Sequence, residues 1–196
     1  EGRKAALQTA EYEGAIVRKA DRILASSNKL KHKLEMEYAL SENSVTLLRN
    51  GFDGIIDKDV VLSNRGQRDK VFRIGYIGTV SYWFDWDVLA RSLSDFSQIE
   101  YHIIGPIDPN VSAPKHDRIL FHGTIEHEKL YSTVEKYDCL CMPFILNDIV
   151  EAVDPVKLYE YINFYKSIIS VRYDEVLRFE KFVHFYSTYE EFRYVL

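Results

Sequence analysis

The feature that most constrains this chain is a repeated alternation of short apolar runs with amphipathic helical stretches. Residues 71–77 are almost continuously apolar, and similar runs follow at 100–104, 119–121, 140–142, 168–171 and 182–185. Runs of strand length without polar alternation are those of strands covered on both faces, as in a parallel sheet. Helical patterns fill the gaps. Trp86, Leu89, Ala90 and Leu93 form one inner face, and Leu130, Val134 and Tyr137 form another within residues 126–137. A final helix is expected from near Thr188. Such alternation predicts right-handed strand–helix–strand crossovers and an α/β fold with a Rossmann-like, doubly wound parallel sheet. The first fifty residues carry the same grammar on a smaller scale. A helix is expected over 3–19, a strand over 22–25, a capping cluster at Ser26-Ser27-Asn28, a helix over 29–38 and a strand over 45–48. Residues 55–70 are polar and turn-rich, with Asn64-Arg65-Gly66 in their middle, and read as a connection.

Doubly wound sheets bind ligands beyond the carboxyl ends of their strands. Three glycines, Gly78, Gly105 and Gly123, fall at expected strand ends. Gly78 separates the first strand of the sheet from its helix, where a backbone can approach a phosphate. No Gly-x-Gly-x-x-Gly fingerprint is present, because Gly75 lies inside the strand and no third glycine follows. The strongest helix start is Asp154-Pro155-Val156-Lys157-Leu158-Tyr159-Glu160-Tyr161-Ile162. Asp154 suits an N-cap and Pro155 the first helical position. Leu158, Tyr161, Ile162 and Tyr165 then recur as one apolar stripe, with Lys157 and Glu160 neighbours beside it. A first turn with free N–H groups, the positive end of the macrodipole and a lysine suits a phosphate. Glu160, one turn further on, can accept hydrogen bonds from sugar hydroxyls. A diphosphate beside a ribose has this chemistry. The competing reading is a solvated Lys157–Glu160 pair of little energetic consequence.

The flanks of this helix carry a family resemblance. Asp138-Cys139-Leu140-Cys141-Met142-Pro143-Phe144 and Asn147-Asp148-Ile149 precede it, and Tyr165-Lys166-Ser167-Ile168-Ile169-Ser170 follows. The segment resembles the donor-binding part of GT-B-fold glycosyltransferases, notably bacterial polysaccharide-biosynthesis enzymes. There a strand ends in a Pro-Phe or Pro-Ser turn, and a Pro-x-Lys-hydrophobic-x-Glu-Tyr helix comes next. The final strand lacks that family's usual glycine and proline. Residues 22–53, with an Ala-Ser-Ser strand and Asn50-Gly51-Phe52-Asp53, are similar to the close of such an enzyme's first Rossmann domain. The resemblance implies that residues 1–60 are the last elements of an N-terminal domain with its linker. Residues 61–196 would be the C-terminal nucleotide-sugar-binding domain.

The implied function is transfer of a sugar from a nucleoside diphosphate sugar to a glycan or lipid-linked acceptor, without a metal or other cofactor. A GT-B sugar-nucleotide epimerase would use the same half-site, and a non-catalytic nucleotide-sugar-binding or interaction module is the third alternative. The donor residues implied are Gly78, Thr79, Asp154, Lys157, Leu158 and Glu160, with Asn50, Gly105, His122, Phe144 and Asp148 facing the cleft. His122 is assigned no chemistry. Two departures from the family stand out. Tyr82-Trp83-Phe84-Asp85-Trp86 replaces the basic residue that often follows the glycine loop, so Lys157 would carry most of the charge neutralisation and the tryptophans are expected to pack inward. The Glu-x7-Glu pair of many retaining relatives is also absent: Ala152 stands eight before Glu160, leaving Asp148, Glu151 and Asp154 as alternatives. Catalytic groups are expected in a first domain that these residues do not supply. The chain alone is therefore expected to be inactive, and to self-associate through apolar surface.

Composition sets the remaining bounds. The 196 residues carry a net charge of −5, so a broad basic surface for nucleic acid is not expected. No apolar run reaches membrane-spanning length, and Glu1-Gly2-Arg3-Lys4 opens a polar stretch unlike a signal peptide. Cys139 and Cys141 share one face of a strand, which predicts reduced, buried thiols. A cytoplasmic setting follows, with peripheral association of the full protein at the inner membrane face implied by the resemblance.

Overall fold

The computed structural model of the chain describes residues 2–52 and 70–196. Most of the 55–70 connection lies outside the described residues. The chain divides into two compact units: Glu1–Asn50 with Ala152–Asp154, and Gly51–Glu151 with Pro155–Leu196.

The smaller unit contains α1 (Gly2–Lys19), β1 (Ile23–Ala25), α2 (Asn28–Glu37) and β2 (Val45–Leu47). β1 and β2 pair in parallel around the α2 crossover. The expected capping cluster works through Ser27, whose hydroxyl accepts the Leu30 N–H at 3.1 Å. The same hydroxyl donates to the Ala152 carbonyl at 2.6 Å, which ties the returning segment into this unit.

The larger unit is built on six parallel strands. These are β3 (Phe72–Ile77), β4 (Ile99–Ile104), β5 (Ile119–Gly123), β6 (Cys139–Met142), β7 (Ser167–Val171) and β8 (Val183–Tyr186). Their spatial order is β5-β4-β3-β6-β7-β8. The chain thus winds outward one way from β3 to β5, then returns to β3's other side at β6. Every expected strand of this sheet is present, with ends displaced by one residue or, for β5, two. Burial explains their legibility: all four residues of β6 are buried, as are Tyr101, His102, Ile103 and Ile104 of β4.

Helices α3 (Trp86–Asp95), α4 (His127–Val134), α6 (Val156–Asn163) and α7 (Tyr189–Val195) follow the expected pattern. A short α5 (Asp148–Glu151) and a 3-10 helix (Asp174–Phe179) were not expected. Asp85 caps α3 by accepting the Val88 N–H at 3.0 Å. The inner face of α3 differs from the sequence reading. Ala90 is exposed, while Val88, Leu89, Ser92 and Leu93 are buried. Ser92 is tolerated there because its hydroxyl donates to the Leu89 carbonyl and meets the Tyr101 hydroxyl at 2.7 Å. Trp83 and Trp86 pack against the core, as expected.

Cys139 and Cys141 are buried and unbridged, and burial raises the pKa of both thiols. No helix among the described residues is long and apolar enough to cross a membrane.

Arg118 joins α3 to the edge of the sheet. Its guanidinium donates to the carbonyls of Leu93, Phe96 and Ile99, closing the C-terminal end of α3 where carbonyls lack helical partners. Arg118→Met keeps much of the aliphatic stem and removes these charge-assisted bonds. It is expected to lower stability by about 1–3 kcal/mol in denaturant titration. A change below about 0.5 kcal/mol would show that the guanidinium contributes nothing net.

Candidate functional site

The sheet reverses winding direction between β3 and β6, and the two strands part there. They pair only at Ile74↔Cys139 and Gly75↔Leu140, although β3 continues to Ile77 and β6 to Met142. Two loops occupy the carboxyl side of this parting. The loop after β3 and the loop after β6 run together: Asp85 donates its N–H to the Pro143 carbonyl at 2.9 Å, Ile145 to Trp83 at 2.7 Å, and Phe84 bridges Phe144.

The three glycine turns line up along the same edge. Gly78 donates its N–H to Ile104, and Gly105 donates to Gly123, both at 2.8 Å. Gly78 has φ +140° and Gly105 φ +130°, backbone that disfavours side chains. At Gly105 the sterics are equally demanding, because a Cβ there would lie 2.2 Å from the Gly78 carbonyl oxygen. At Gly78 a Cβ would lie 2.0 Å from Lys157 Cε and 2.8 Å from its Nζ. The missing side chain of Gly78 is therefore replaced by the end of Lys157. Two residues implicated separately in the sequence come together.

Lys157 is half-buried, and burial lowers its pKa, with Glu160 opposing the shift. Neither Lys157 nor Glu160 forms a side-chain hydrogen bond or ion pair among the described residues. The two are not the solvated ion pair of the competing reading. Lys157 belongs to the first turn of α6, where the amides of Val156 and Lys157 have no helical partner by position. Beneath them lie two buried tyrosines. Tyr76 donates its hydroxyl to the Thr79 carbonyl at 2.7 Å, and the Tyr161 hydroxyl accepts the Ile77 N–H at 2.8 Å. Among the described residues no group of three or more His, Cys, Asp or Glu side chains is placed to hold a metal ion.

Other expected site residues have different placements. Asp154 is not the cap of α6; Pro155 occupies that position. Asp154 is buried within the smaller unit, where its Oδ2 accepts the Asn50 N–H at 2.8 Å and its carbonyl accepts from Asn50 Nδ2 at 2.7 Å. A tertiary donor has won over local capping. Leu158 is fully buried and its N–H is taken by the Pro155 carbonyl at 3.1 Å, so it supplies packing and no free ligand contact. Tyr165 does not continue the apolar stripe; it follows the helix at φ +52° and is exposed, while Phe164 is buried in its stead. Phe144 is buried edge-on against Tyr76. Thr79 is exposed beside Gly78, and Asp148 is exposed at the start of α5, which Asn147 caps by accepting the Ile149 and Val150 N–H groups.

His122 has a partner that sequence reasoning missed. Its Nε2 lies 2.9 Å from Nδ1 of buried His102, with the two rings nearly parallel. No periodicity reveals such a pair, because the residues meet only through the β4–β5 register.

Comparison with solved structures places this geometry in a known fold. Anabaena HepE in complex with UDP and glucose is similar with a TM-score of 0.63 at 12% identity, over 92% of this chain and 53% of that one. The lipopolysaccharide outer core galactosyltransferase WaaB gives 0.60 at 16% identity, over 89% and 51%. Sucrose-phosphate synthase from Thermosynechococcus elongatus gives 0.62 at 15% identity, over 93% and 49%. The chain thus has the fold of one half of a GT-B glycosyltransferase and spans about half the length of the chains it resembles. No protein-family model and no curated sequence matches it.

The histidine pair gives a pH expectation. Burial is the main cause lowering both pKa values; for His102 the facing His122 adds to it and Glu100 opposes it, and for His122 Lys136 adds to it. Protons therefore bind the unfolded chain first, at its ordinary value of about 6.5. Stability is full above that pH and falls as pH drops through the lowered folded-state values. Melting temperature should decline below pH ~6.5, and His122→Gln should flatten the onset of that decline. An unchanged slope in the variant would exclude the pair as its source.

Proposed function

We propose that the larger unit is the nucleotide-sugar-binding half of a GT-B glycosyltransferase that acts in glycan biosynthesis. The observation that carries this reading is the Lys157 ammonium, lying over Gly78 at the sheet's reversal point with no hydrogen bond or close ion pair among the described residues. A partly desolvated cation beside a helix N-terminus is poised for an anion, and a diphosphate offers one. In this reading Lys157, the first-turn amides of α6 and the Gly78–Thr79 turn hold the diphosphate, and Glu160 accepts from the ribose hydroxyls. Asp154 and Leu158, occupied elsewhere, are left out. Solved structures of the similar HepE contain UDP and UDP-glucose, which makes UDP the first ligand to try.

The chemistry is electrostatic. When the anomeric carbon–oxygen bond of the donor breaks, negative charge grows on the departing diphosphate. A fixed ammonium and oriented amides stabilise that state more than the intact donor. The acceptor is a glycan or lipid-linked glycan hydroxyl.

Calorimetry with UDP, uridine and a 2′,3′-dideoxy analogue tests the assignment. Lys157→Ala removes one charge-assisted contact and should weaken UDP by about one to two powers of ten, leaving uridine nearly unchanged. Glu160→Gln should weaken UDP and uridine but not the dideoxy analogue. If both variants melt like the parent and bind every ligand as it does, the site is elsewhere.

A further inference from the structure

Lys157 can meet Gly78 only if the turn after β3 is held at a fixed height. The usual holder of a strand end is the neighbouring strand, and β6 has already departed. In a parallel sheet, successive residues present their N–H and C=O groups to opposite neighbours. The Gly78 N–H goes to Ile104 on the β4 side, so Ile77, one residue earlier, faces the β6 side. The β3–β6 register ends at Gly75↔Leu140, which leaves Ile77 without a strand partner.

A side chain fills that vacancy. The Tyr161 hydroxyl accepts the Ile77 N–H at 2.8 Å and donates to the Ile77 carbonyl at 3.3 Å. Tyr161 is fully buried, and burial raises its pKa well above the ordinary value, so the hydroxyl keeps its proton. Tyr161 also lies four residues after Lys157 on α6, on the same helical face. One turn of helix and one phenol therefore set the position of the Lys157 ammonium relative to Gly78.

We propose that Tyr161 is a positioning residue for donor binding, substituting for the absent β6 partner at Ile77 and so fixing the Gly78 turn against Lys157. This rests on the nucleotide-sugar reading for its purpose, but its geometric core is independent of it. Without the hydroxyl, the Ile77 groups regain partners only if the turn shifts or water enters the parting. Either event separates Gly78 from Lys157.

The test is Tyr161→Phe in the whole chain, with lysine Cε resonances followed by NMR through a pH titration without ligand. In the parent, Lys157 should titrate below the ordinary lysine value; in the variant it should move back towards that value. An unchanged Lys157 titration in a folded variant would overturn the proposal. A second measurement needs no variant. The Ile77 amide of the parent should be protected from hydrogen exchange before any nucleotide is added, and protection that arises only with UDP would also overturn the proposal. UDP affinity then gives the functional arm. Tyr161→Phe should weaken UDP on the order of tenfold, spare uridine, and add no further loss in a Lys157→Ala background. An equal loss in both backgrounds, or none in either while the parent binds UDP, would contradict positioning through Lys157. A parent that binds no UDP would sink the nucleotide reading, while the titration and exchange results would still decide the role of Tyr161.

Discussion

β3 and β6 are hydrogen-bonded neighbours at Ile74 and Gly75, and they separate before β3 ends. The carboxyl edge of the larger unit depends on this parting. A closed ladder would pair Ile77 with β6. An open one exposes the N–H and C=O of Ile77, and leaving a buried backbone group unpaired costs about 1–3 kcal/mol. Tyr161 resolves the conflict by supplying one hydroxyl to both groups. Tyr76 holds the far side of the turn through the Thr79 carbonyl. The two phenols make an open sheet edge compatible with a defined turn.

The rest of the edge follows from close backbone packing. Gly105 lies so near the Gly78 carbonyl that a side chain would collide, and the Gly105 N–H is held by Gly123. Turns after three consecutive strands are thereby locked in line. The lysine rests on this platform at an energetic disadvantage, since burial works against its charge. An anion brought to the same place would relieve that disadvantage, which links local destabilisation to binding.

The inner strands were legible because burial on both faces leaves a plain mark on sequence, while β5 at the sheet edge kept an apolar start despite three exposed residues. All six strands of the large sheet read as apolar runs, and Ser27, Asp85 and Thr188 cap the helices that follow them. What escaped had physical reasons. A helix of four residues, Asp148–Glu151, is too short to show periodicity. Ser92 replaces Ala90 on the inner face of α3 because its hydroxyl has a tertiary hydrogen-bond partner in the Tyr101 hydroxyl. Asp154 had the right local chemistry for a cap, but its carboxylate is engaged by Asn50, remote in sequence. Gly78 and Lys157 could be named singly, whereas their meeting required the sheet order. Tyr161 was readable only as an apolar stripe member; its hydroxyl acquires a role from a gap in strand pairing that no spacing rule reports.

In the proposed function the parting of β3 and β6 holds a diphosphate. Titration of the 15N-labelled chain with UDP, followed through backbone amide shifts, addresses it directly. The largest changes are expected at Gly78, Thr79, Val156 and Lys157, saturating together, with Arg118 and its neighbours silent. Saturable shifts confined to other surfaces, or none at millimolar UDP, would contradict it.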